Sequence, residues 1–325
     1  MIKNINNTPN VSFSKAHYFC DYIELIALIN NDDIVSIADI YDRFYDDEKI
    51  KIKINESDVN LGDETSNVND KWETRIKEWF SILNIREQLF KEFYPFLITD
   101  ETTIKLKSNL NNSHKLYIFL LLNSNKKYIS KKRNMLTSDF EEFSLIALKK
   151  YLPINAFSFR FGKSMLDYDR YTGKLINKIN LLAQDLKYKT QYEEDDFNDG
   201  DGGDGGLDLV SWIPFLNDEN QNNMQVILSQ CATGDEWFKK QYETNKFTSN
   251  FINFKTKPNN AIFIPYDGRR ADRKFAEQKE ILTDVLLFDR IRILNLLQNN
   301  QDDITSLQSF VEIVDEVISF EEDII

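Results

Sequence analysis

The chain has 325 residues, of which 42% are hydrophobic and 29% are charged, so it can bury a sizeable core. Its formal net charge of −13 at pH 7 excludes a protein that is basic over its whole surface. Any contact with nucleic acid must therefore come from local clusters of Lys and Arg. With two cysteines far apart and two histidines, a disulfide framework, a zinc ribbon and a His-rich metal site are also excluded.

The sequence contains no apolar run of the roughly 18 residues that a bilayer-spanning helix needs. Its first ten residues, MIKNINNTPN, lack the apolar region of a secretory signal. We therefore expect a cytoplasmic protein without membrane contact. The length suits two domains of roughly 100–200 residues each, or one large domain.

Apolar residues at helical spacing predict a mainly helical accessory domain over residues 1–135. Predicted helices span residues 14–30, 34–45, 71–90 and 114–122, and a short strand spans 103–107. The basic run at residues 126–133, KKYISKKR, is predicted to be an exposed linker.

The remainder, residues 136–325, alternates between helical and strand patterns, which predicts an α/β domain with a mixed central sheet flanked by helices. Predicted strands span residues 156–161, 207–213, 225–229 and 261–265, and predicted helices span 140–151, 175–186, 235–244, 284–298 and 304–320. Residues 137–139, TSD, are predicted to cap the first of these helices, with Glu141 or Glu142 completing a capping box.

An acidic, glycine-rich turn at residues 199–208, DGDGGDGGLD, runs directly into the apolar segment 209–215, LVSWIPF. A calcium loop of the EF-hand type is excluded because its sixth position would be Asp204 and its twelfth Val210. A phosphate-binding loop is disfavoured because no Lys follows the last glycine and the carboxylates would repel phosphate.

Two interpretations of the turn remain. It could be a solvated connection without a further role. Alternatively, its glycines permit positive φ and deliver one carboxylate, Asp208, to the mouth of a buried strand. A second predicted strand ends at Gln230 and would pair with the first. Carboxylate and amide oxygens are ligands that Mg²⁺ accepts, so the pattern indicates a hard-metal site.

The segment DGGLD at residues 204–208, followed by a strand and by a second strand that ends at Gln230, resembles the PD-(D/E)xK nuclease superfamily. It is most similar to Mrr-type restriction endonucleases, whose motif is GxD followed by a strand ending in (E/Q)xK. The segment FEEF at residues 140–143 resembles the acidic helix that precedes this core. The resemblance covers roughly residues 140–267.

The resemblance implies a restriction-endonuclease-like core and a metal-dependent endonuclease that hydrolyses DNA in a bacterial restriction or antiphage defence system. Asp208 and Gln230 would bind Mg²⁺ or Mn²⁺, which would activate water, and Glu142 would be an outer ligand. The family's lysine should stand at position 232, which is Ala232. The resemblance therefore implies that Lys239 or, preferably, Lys240 replaces it and stabilises the charged phosphate.

The missing lysine also favours an alternative, a catalytically degenerate module that keeps the nuclease fold and binds DNA or a partner protein of a defence system. In a third interpretation, the acidic loop mimics nucleic acid. A homodimer is compatible with the resemblance because cutting two strands needs two sites.

A basic cluster after the predicted strand 261–265 is a candidate for nucleic-acid binding, since clustered cations contact phosphates. Its members are Arg269, Arg270, Arg273 and Lys274. Because Asp267 and Asp272 interleave with them, ion pairing within the cluster is the competing interpretation. Cys231 and Trp212 are predicted to belong to the core.

Overall fold

The computed structural model describes residues 2–30, 34–47, 61–161, 169–193, 197, 202–219, 221–276, 284–298, 304, 307 and 310–320. The chain divides into two compact units. The first consists of Met1–Arg133, Tyr266–Gln278 and Gln301–Ile325, and the second of Asn134–Pro265 and Lys279–Asn300. The chain thus returns to the first unit twice after the boundary expected near residue 135.

The first unit combines helices with a small antiparallel sheet. Its helices are α1 (Ala16–Ile29), α2 (Ile37–Asp46), α3 (Leu61–Phe90) and α4 (Asn112–Ser124), with 3₁₀ turns at Lys91–Phe93 and Lys126–Tyr128, a π-helical turn at Phe310–Val314 and a short α-helix at Asp315–Ile318. The strands β1 (Ile34–Ser36), β2 (Phe96–Thr99) and β3 (Thr103–Leu106) pair in the order β1-β3-β2.

Helix α1 is the centre of this unit because every one of its residues is buried. The ring of Phe19 on α1 stacks on Trp79 of α3 at 4.2 Å between centroids. The predicted helix 34–45 is corrected at its start, where β1 pairs with β3. Ser36 ends this strand and caps α2 in a capping box with Asp39, so the helix begins only at Ile37.

The second unit is an α/β domain with a mixed five-stranded sheet flanked by helices, as predicted. Its elements are α5 (Arg133–Tyr151), β4 (Phe157–Arg160), α6 (Leu175–Leu186), β5 (Lys189–Thr190), β6 (Leu209–Ile213), β7 (Gln225–Cys231), a 3₁₀ helix (Trp237–Tyr242), a π-helical turn (Phe247–Phe251), β8 (Ile252–Asn253), β9 (Asn259–Phe263), β10 (Val285–Phe288) and α7 (Arg290–Leu297). The strand order is β10-β9-β7-β6-β4, with antiparallel pairs from β4 to β7 and parallel pairs from β7 to β10.

The two faces of this sheet differ in chemistry. One face contributes Val210, Trp212 and Leu228 to an apolar cluster with α6, which confirms Trp212 as a core residue. The alternate residues of β4 carry polar side chains: Ser158 is bonded to Ser211 of β6, and Arg160 pairs with α5. Since side chains alternate along a strand, the polar face and the apolar face follow from the sequence of β4, FSFR.

Three predicted elements of this unit are corrected. Residues 137–139 do not cap a helix, because α5 already begins at Arg133. The predicted helix 284–298 is the strand β10 followed by α7, because Asp289 breaks the segment and accepts a hydrogen bond from the Arg292 amide as the cap of α7. The predicted helix 235–244 is a shorter 3₁₀ helix. Of the predicted helix 304–320, the described part is helical from Phe310.

Both cysteines are buried and free. Cys231 ends β7, where burial and the nearby Asp208 carboxylate raise the pKa of its thiol. Ser144 of α5 is hydrogen-bonded to this thiol. None of the helices in the described part of the chain combines the length and apolar content of a membrane span.

Candidate functional site

The described part of the acidic turn, from Gly202 onward, is a tight structure that leads into β6. Gly205 and Gly206 have φ values of +63° and +87°, which confirms the predicted use of positive φ. The amide of Gly206 donates to Asp204 Oδ1 at 2.7 Å, and the amide of Leu207 donates to the Asp204 carbonyl at 3.1 Å. Residues 199–201 of the turn lie outside the described residues.

The backbone of Asp208 is hydrogen-bonded to β7 on one side and to the residue that follows β4 on the other. Its amide donates to the carbonyl of Ser229 on β7 at 3.0 Å, and its carbonyl accepts from the amide of Phe161 at 2.7 Å. Asp208 therefore stands where β6 begins, β7 ends and β4 has just ended. This is the strand mouth at which the sequence predicts a metal ligand.

The Asp208 side chain is 6% exposed, and its Oδ2 accepts a hydrogen bond of 2.7 Å from the Cys231 amide. Burial raises the pKa of this carboxyl well above its ordinary value, and the Glu141 carboxylate raises it further. The Cys231 amide and the Lys240 ammonium lower the pKa without cancelling the rise. The site thus disfavours the negative charge of Asp208 in the absence of a further cation.

Glu141 projects from α5 and is the second carboxylate of the site. Burial raises its pKa to about 7, although the guanidinium of Arg160 opposes the rise. Arg160 Nη2 lies 3.1 Å from Glu141 Oε2. The neighbouring Asp204 carboxylate raises the pKa of Glu141 as well as that of Asp208. Asp204 therefore belongs to the site electrostatically and is not a mere spacer.

Glu142, the predicted outer ligand, shares the partner of Glu141 through the other terminal nitrogen of Arg160. Its Oε2 lies 3.6 Å from Arg160 Nη1, while Arg160 Nη2 also donates to Ser138 Oγ at 3.1 Å. The carboxylate that acts on Asp208 from α5 is that of Glu141. The sequence did contain one indication that carboxylates of α5 face the sheet. Arg160 lies in a strand that is partly buried, and a buried cation needs a carboxylate partner on the helix that covers it.

Gln230 lies next to Asp208 by the register of the sheet. Leu209 is paired with Ser229, so one further residue sets Gln230 opposite Asp208. The Gln230 side chain is 2% exposed, and its Oε1 has no hydrogen-bond partner among the described residues. Leaving a buried acceptor unpaired costs about 1–3 kcal/mol, so this oxygen is suited to a water molecule or a ligand.

The two candidate lysines are separated by their surroundings. Lys239 is exposed and forms an ion pair with Glu236, one turn away on the protein surface. Lys240 is half-buried in the 3₁₀ helix and favours the charged form of Asp208. Of the two predicted replacements for a lysine at Ala232, Lys240 is the one that acts on the Asp208 carboxylate.

The side chains around Asp208 offer oxygen donors. Two carboxylates, those of Asp208 and Glu141, and the Gln230 amide oxygen are oxygen ligands of the type that Mg²⁺ uses. Within the described ranges, no group of three or more His, Cys, Asp or Glu side chains is arranged to hold a metal ion. These donors therefore match Mg²⁺ in chemical type, while the described side chains do not by themselves form a metal-binding cluster.

The predicted nucleic-acid residues belong to the other unit, in the returning segment Tyr266–Gln278. Arg269 pairs with Asp267, and Arg270 Nη2 lies 3.3 Å from Asp272 Oδ2. Arg273 donates to Gln88 Oε1 at 3.0 Å, and the Lys274 side chain is exposed. The ion pairing expected from the interleaved aspartates is therefore confirmed for Arg269 and Arg270.

Comparison of the chain with protein families, curated proteins and solved structures gives no match. The resemblance to the PD-(D/E)xK superfamily consequently stays a prediction that rests on the residues quoted above.

The acidic turn permits a test of its backbone geometry. An Ala at Gly206 would adopt a φ of +87° and place its Cβ 2.9 Å from Glu243 Cβ, whereas Gly173 has a φ of +85° with nothing described within 4 Å. We expect Gly173→Ala to lower the free energy of unfolding by about 1 kcal/mol and Gly206→Ala to lower it by about 2–3 kcal/mol. Urea unfolding of both variants measures the difference, and equal losses would contradict a steric role for Gly206.

Proposed function

We propose that this chain is a metal-dependent nuclease that hydrolyses DNA phosphodiester bonds and that Asp208 is the centre of its active site. The observation that carries the proposal is the buried Asp208 carboxylate at a strand mouth, whose pKa is raised by burial and by Glu141. Placing the buried Asp208 carboxylate near Glu141 opposes folding, and Arg160 pairs with Glu141 and not with Asp208. Strongly perturbed carboxyl groups of this kind are concentrated at functional sites.

The side chains of the site suggest a division of roles. Asp208 and Gln230 would hold the cation, with Glu141 beside them. Bound there, Mg²⁺ would supply a Lewis acid that makes water a better nucleophile at neutral pH. Glu141, with a pKa of about 7, can hold or release a proton at the pH of the reaction. Lys240 provides a positive charge that can offset the charge developing on the phosphate.

The biological setting comes from the sequence pattern alone. Its similarity to Mrr-type restriction endonucleases supports a role in a bacterial restriction or antiphage system with DNA as the substrate. The second unit contains a helix, then three mutually antiparallel strands (β4, β6 and β7) with α6 after the first of them, and then two strands (β9 and β10) in parallel pairing, an order that is compatible with such a core.

A cleavage assay tests the proposal. Wild-type protein with Mg²⁺ or Mn²⁺ is incubated with single- and double-stranded DNA and RNA, and Asp208→Asn is compared with Glu219→Gln, which removes an exposed carboxylate. We expect double-stranded DNA to be cut, and we expect Asp208→Asn to lower the rate about 10³-fold, the size of effect seen when one electrostatic stabiliser is removed. Equal rates for the two variants would refute a catalytic Asp208.

The second candidate function is a DNA- or protein-binding module that no longer cuts. The residue that favours it is Ala232, which is buried where the resemblance requires a lysine. Lys240→Met discriminates between the two candidates. In a nuclease it should abolish cleavage while DNA binding persists, whereas in a binding module wild-type protein should already be inactive with either cation.

A further inference from the structure

The returning segment of the first unit contains a tight hairpin, residues 268–276, which we call the basic hairpin. The amide of Ala276 donates to the Gly268 carbonyl at 2.9 Å, and the amide of Arg270 donates to the Lys274 carbonyl at 3.0 Å. Arg273 lies at the tip with a φ of +63°, and its backbone amide donates a hydrogen bond to the Arg270 carbonyl. The backbone at the tip is therefore ordered by its own hydrogen bonds.

The base of the basic hairpin is anchored in the core of its unit. Asp267 is 1% exposed, and its carbonyl accepts from Arg86 Nη2 at 3.3 Å. Arg269 pairs with the Asp267 carboxylate and lies 5.4 Å from the centre of the Phe275 ring. A Cβ at Gly268 would stand 2.7 Å from that ring, so glycine is needed for this close approach. These contacts tie the base of the basic hairpin to the core of its unit.

The tip concentrates positive charge on an acidic protein. Arg270, Arg273 and Lys274 are exposed within five residues, with Asp272 as the one exposed carboxylate between them. The net charge of the whole chain is −13, so this tip differs in sign from the average surface. An exposed ion pair such as Arg270–Asp272 contributes little to folding stability. A phosphate group can therefore displace Asp272 from Arg270.

We propose that the basic hairpin binds the phosphate backbone of duplex DNA through Arg270, Arg273 and Lys274, without reading the base sequence. This inference rests on the proposed nuclease function for the choice of DNA over an acidic peptide. Guanidinium groups match phosphate oxygens with two parallel hydrogen bonds. A preordered tip also loses little conformational freedom on binding. Such contacts position the duplex and carry no sequence information.

Salt-dependent binding tests the inference. The full chain in EDTA is titrated with a fluorescent 25-base-pair duplex between 50 and 200 mM NaCl, and Arg270→Gln/Arg273→Gln/Lys274→Gln is compared with wild type. We expect a loss of affinity of at least about 10-fold at low salt. The slope of log K against log salt should fall by about 2.7, since each lost phosphate contact removes about 0.9.

A matched variant removes the same charge elsewhere. Lys149→Gln/Lys150→Gln/Lys174→Gln neutralises three exposed lysines of the second unit and reaches the same net charge. This control should bind with an affinity within about threefold of wild type. If both triple variants lose the same affinity, net charge explains the binding and the basic hairpin has no special role. Melting temperatures confirm that both variants are folded.

A single substitution should change the affinity in the opposite direction. Asp272→Asn removes the carboxylate that competes with phosphate for Arg270. The Asn side-chain oxygen can still accept the hydrogen bond of 3.0 Å that the Lys274 amide donates to Asp272. We expect binding to become about 2- to 10-fold tighter, with a slope that is steeper by about 0.9. Unchanged or weaker binding would overturn the inference, as would equal binding of an Asp-rich peptide in competition with the duplex.

The outcomes separate the inference from the proposed function. Binding that depends on the basic hairpin, in a protein that never cuts, would refute the nuclease proposal and leave the inference standing. Cleavage that depends on Asp208, with binding unaffected by the triple variant of the hairpin, would refute the inference alone.

Discussion

Asp208→Asn should yield a protein that cuts DNA about 10³-fold more slowly than wild type and is nevertheless more stable than wild type above pH 7. The substitution keeps the shape of the side chain. It also keeps an oxygen that can accept the 2.7 Å hydrogen bond from the Cys231 amide. It removes the charge that burial and Glu141 disfavour. Functional sites hold such unfavourable charges at the expense of stability, so removing one often stabilises a protein while it destroys activity.

The gain should depend on pH in a defined direction. In the folded protein the pKa of Glu141 is raised from 4.5 to about 7, and that of Asp208 is raised well above 3.8. As the pH rises, the unfolded chain releases these protons before the folded protein does. The free energy of unfolding of wild type is therefore highest below about pH 4 and falls as the pH rises to 7 and beyond. For Glu141 alone, the rise in pKa corresponds to about 3 kcal/mol.

Urea unfolding at pH 4 and pH 8 checks this expectation. Asp208→Asn should match wild type in free energy of unfolding at pH 4 and exceed it at pH 8, because the pKa of Asp208 is raised in the folded protein. Mg²⁺ at millimolar concentration should raise the melting temperature of wild type and not that of Asp208→Asn, since a ligand stabilises only the state that binds it. Glu219→Gln should respond to Mg²⁺ as wild type does. If Asp208→Asn were less stable than wild type at pH 8, the negative charge of Asp208 would have to be compensated in the folded protein, which would contradict this expectation.

Arg86→Met should lower the free energy of unfolding by about 3–5 kcal/mol, the loss expected when one partner of a buried ion network is removed. Arg86 of α3 is 1% exposed, and its Nη1 bonds Asp21 at 2.7 Å and Glu24 at 2.9 Å, both on α1. Tyr94 and Tyr117 donate to the other oxygen of Glu24 at 2.9 and 2.8 Å. Without Arg86 these carboxylates remain buried and lack their cation.

The same helix supplies the matched control. Arg75 of α3 pairs with Glu78, and both side chains are nearly half exposed, so Arg75→Met should cost less than about 1 kcal/mol. Arg86→Lys retains the charge but loses the planar fork and should fall between the two. Chemical denaturation of the three variants gives the comparison. If Arg86→Met were no more destabilising than Arg75→Met, water would have to replace the guanidinium.

The sequence predicted those parts of the fold that depend on short-range patterns. Helix α6 has the bounds that its apolar spacing predicts, and the strands β4, β6, β7 and β9 lie within about two residues of their predicted positions. Segments whose local pattern suits both structures were assigned wrongly. The segment VLLFDRIRILNLL at 285–297 suits one long helix, but its first four residues pair with β9, which is a contact that local pattern cannot reveal.

For the candidate site, the sequence by itself determined the turn and its end point. Glycines at positions 205 and 206 permit the positive φ values, and the apolar run after Asp208 predicts that this residue stands at the start of a buried strand. These properties depend on residues within one turn and one strand, so the order of the residues is sufficient to predict them.

Only the tertiary structure decided which distant groups surround that carboxylate. Glu141 rather than Glu142 acts on Asp208, and Lys240 rather than Lys239 favours its charged form, although the members of each pair are adjacent in sequence. Likewise, Arg86 meets Asp21 and Asp267 across 65 and 181 residues. Helix packing decides which of two neighbouring side chains points inward, and that packing depends on the whole core and not on the local pattern.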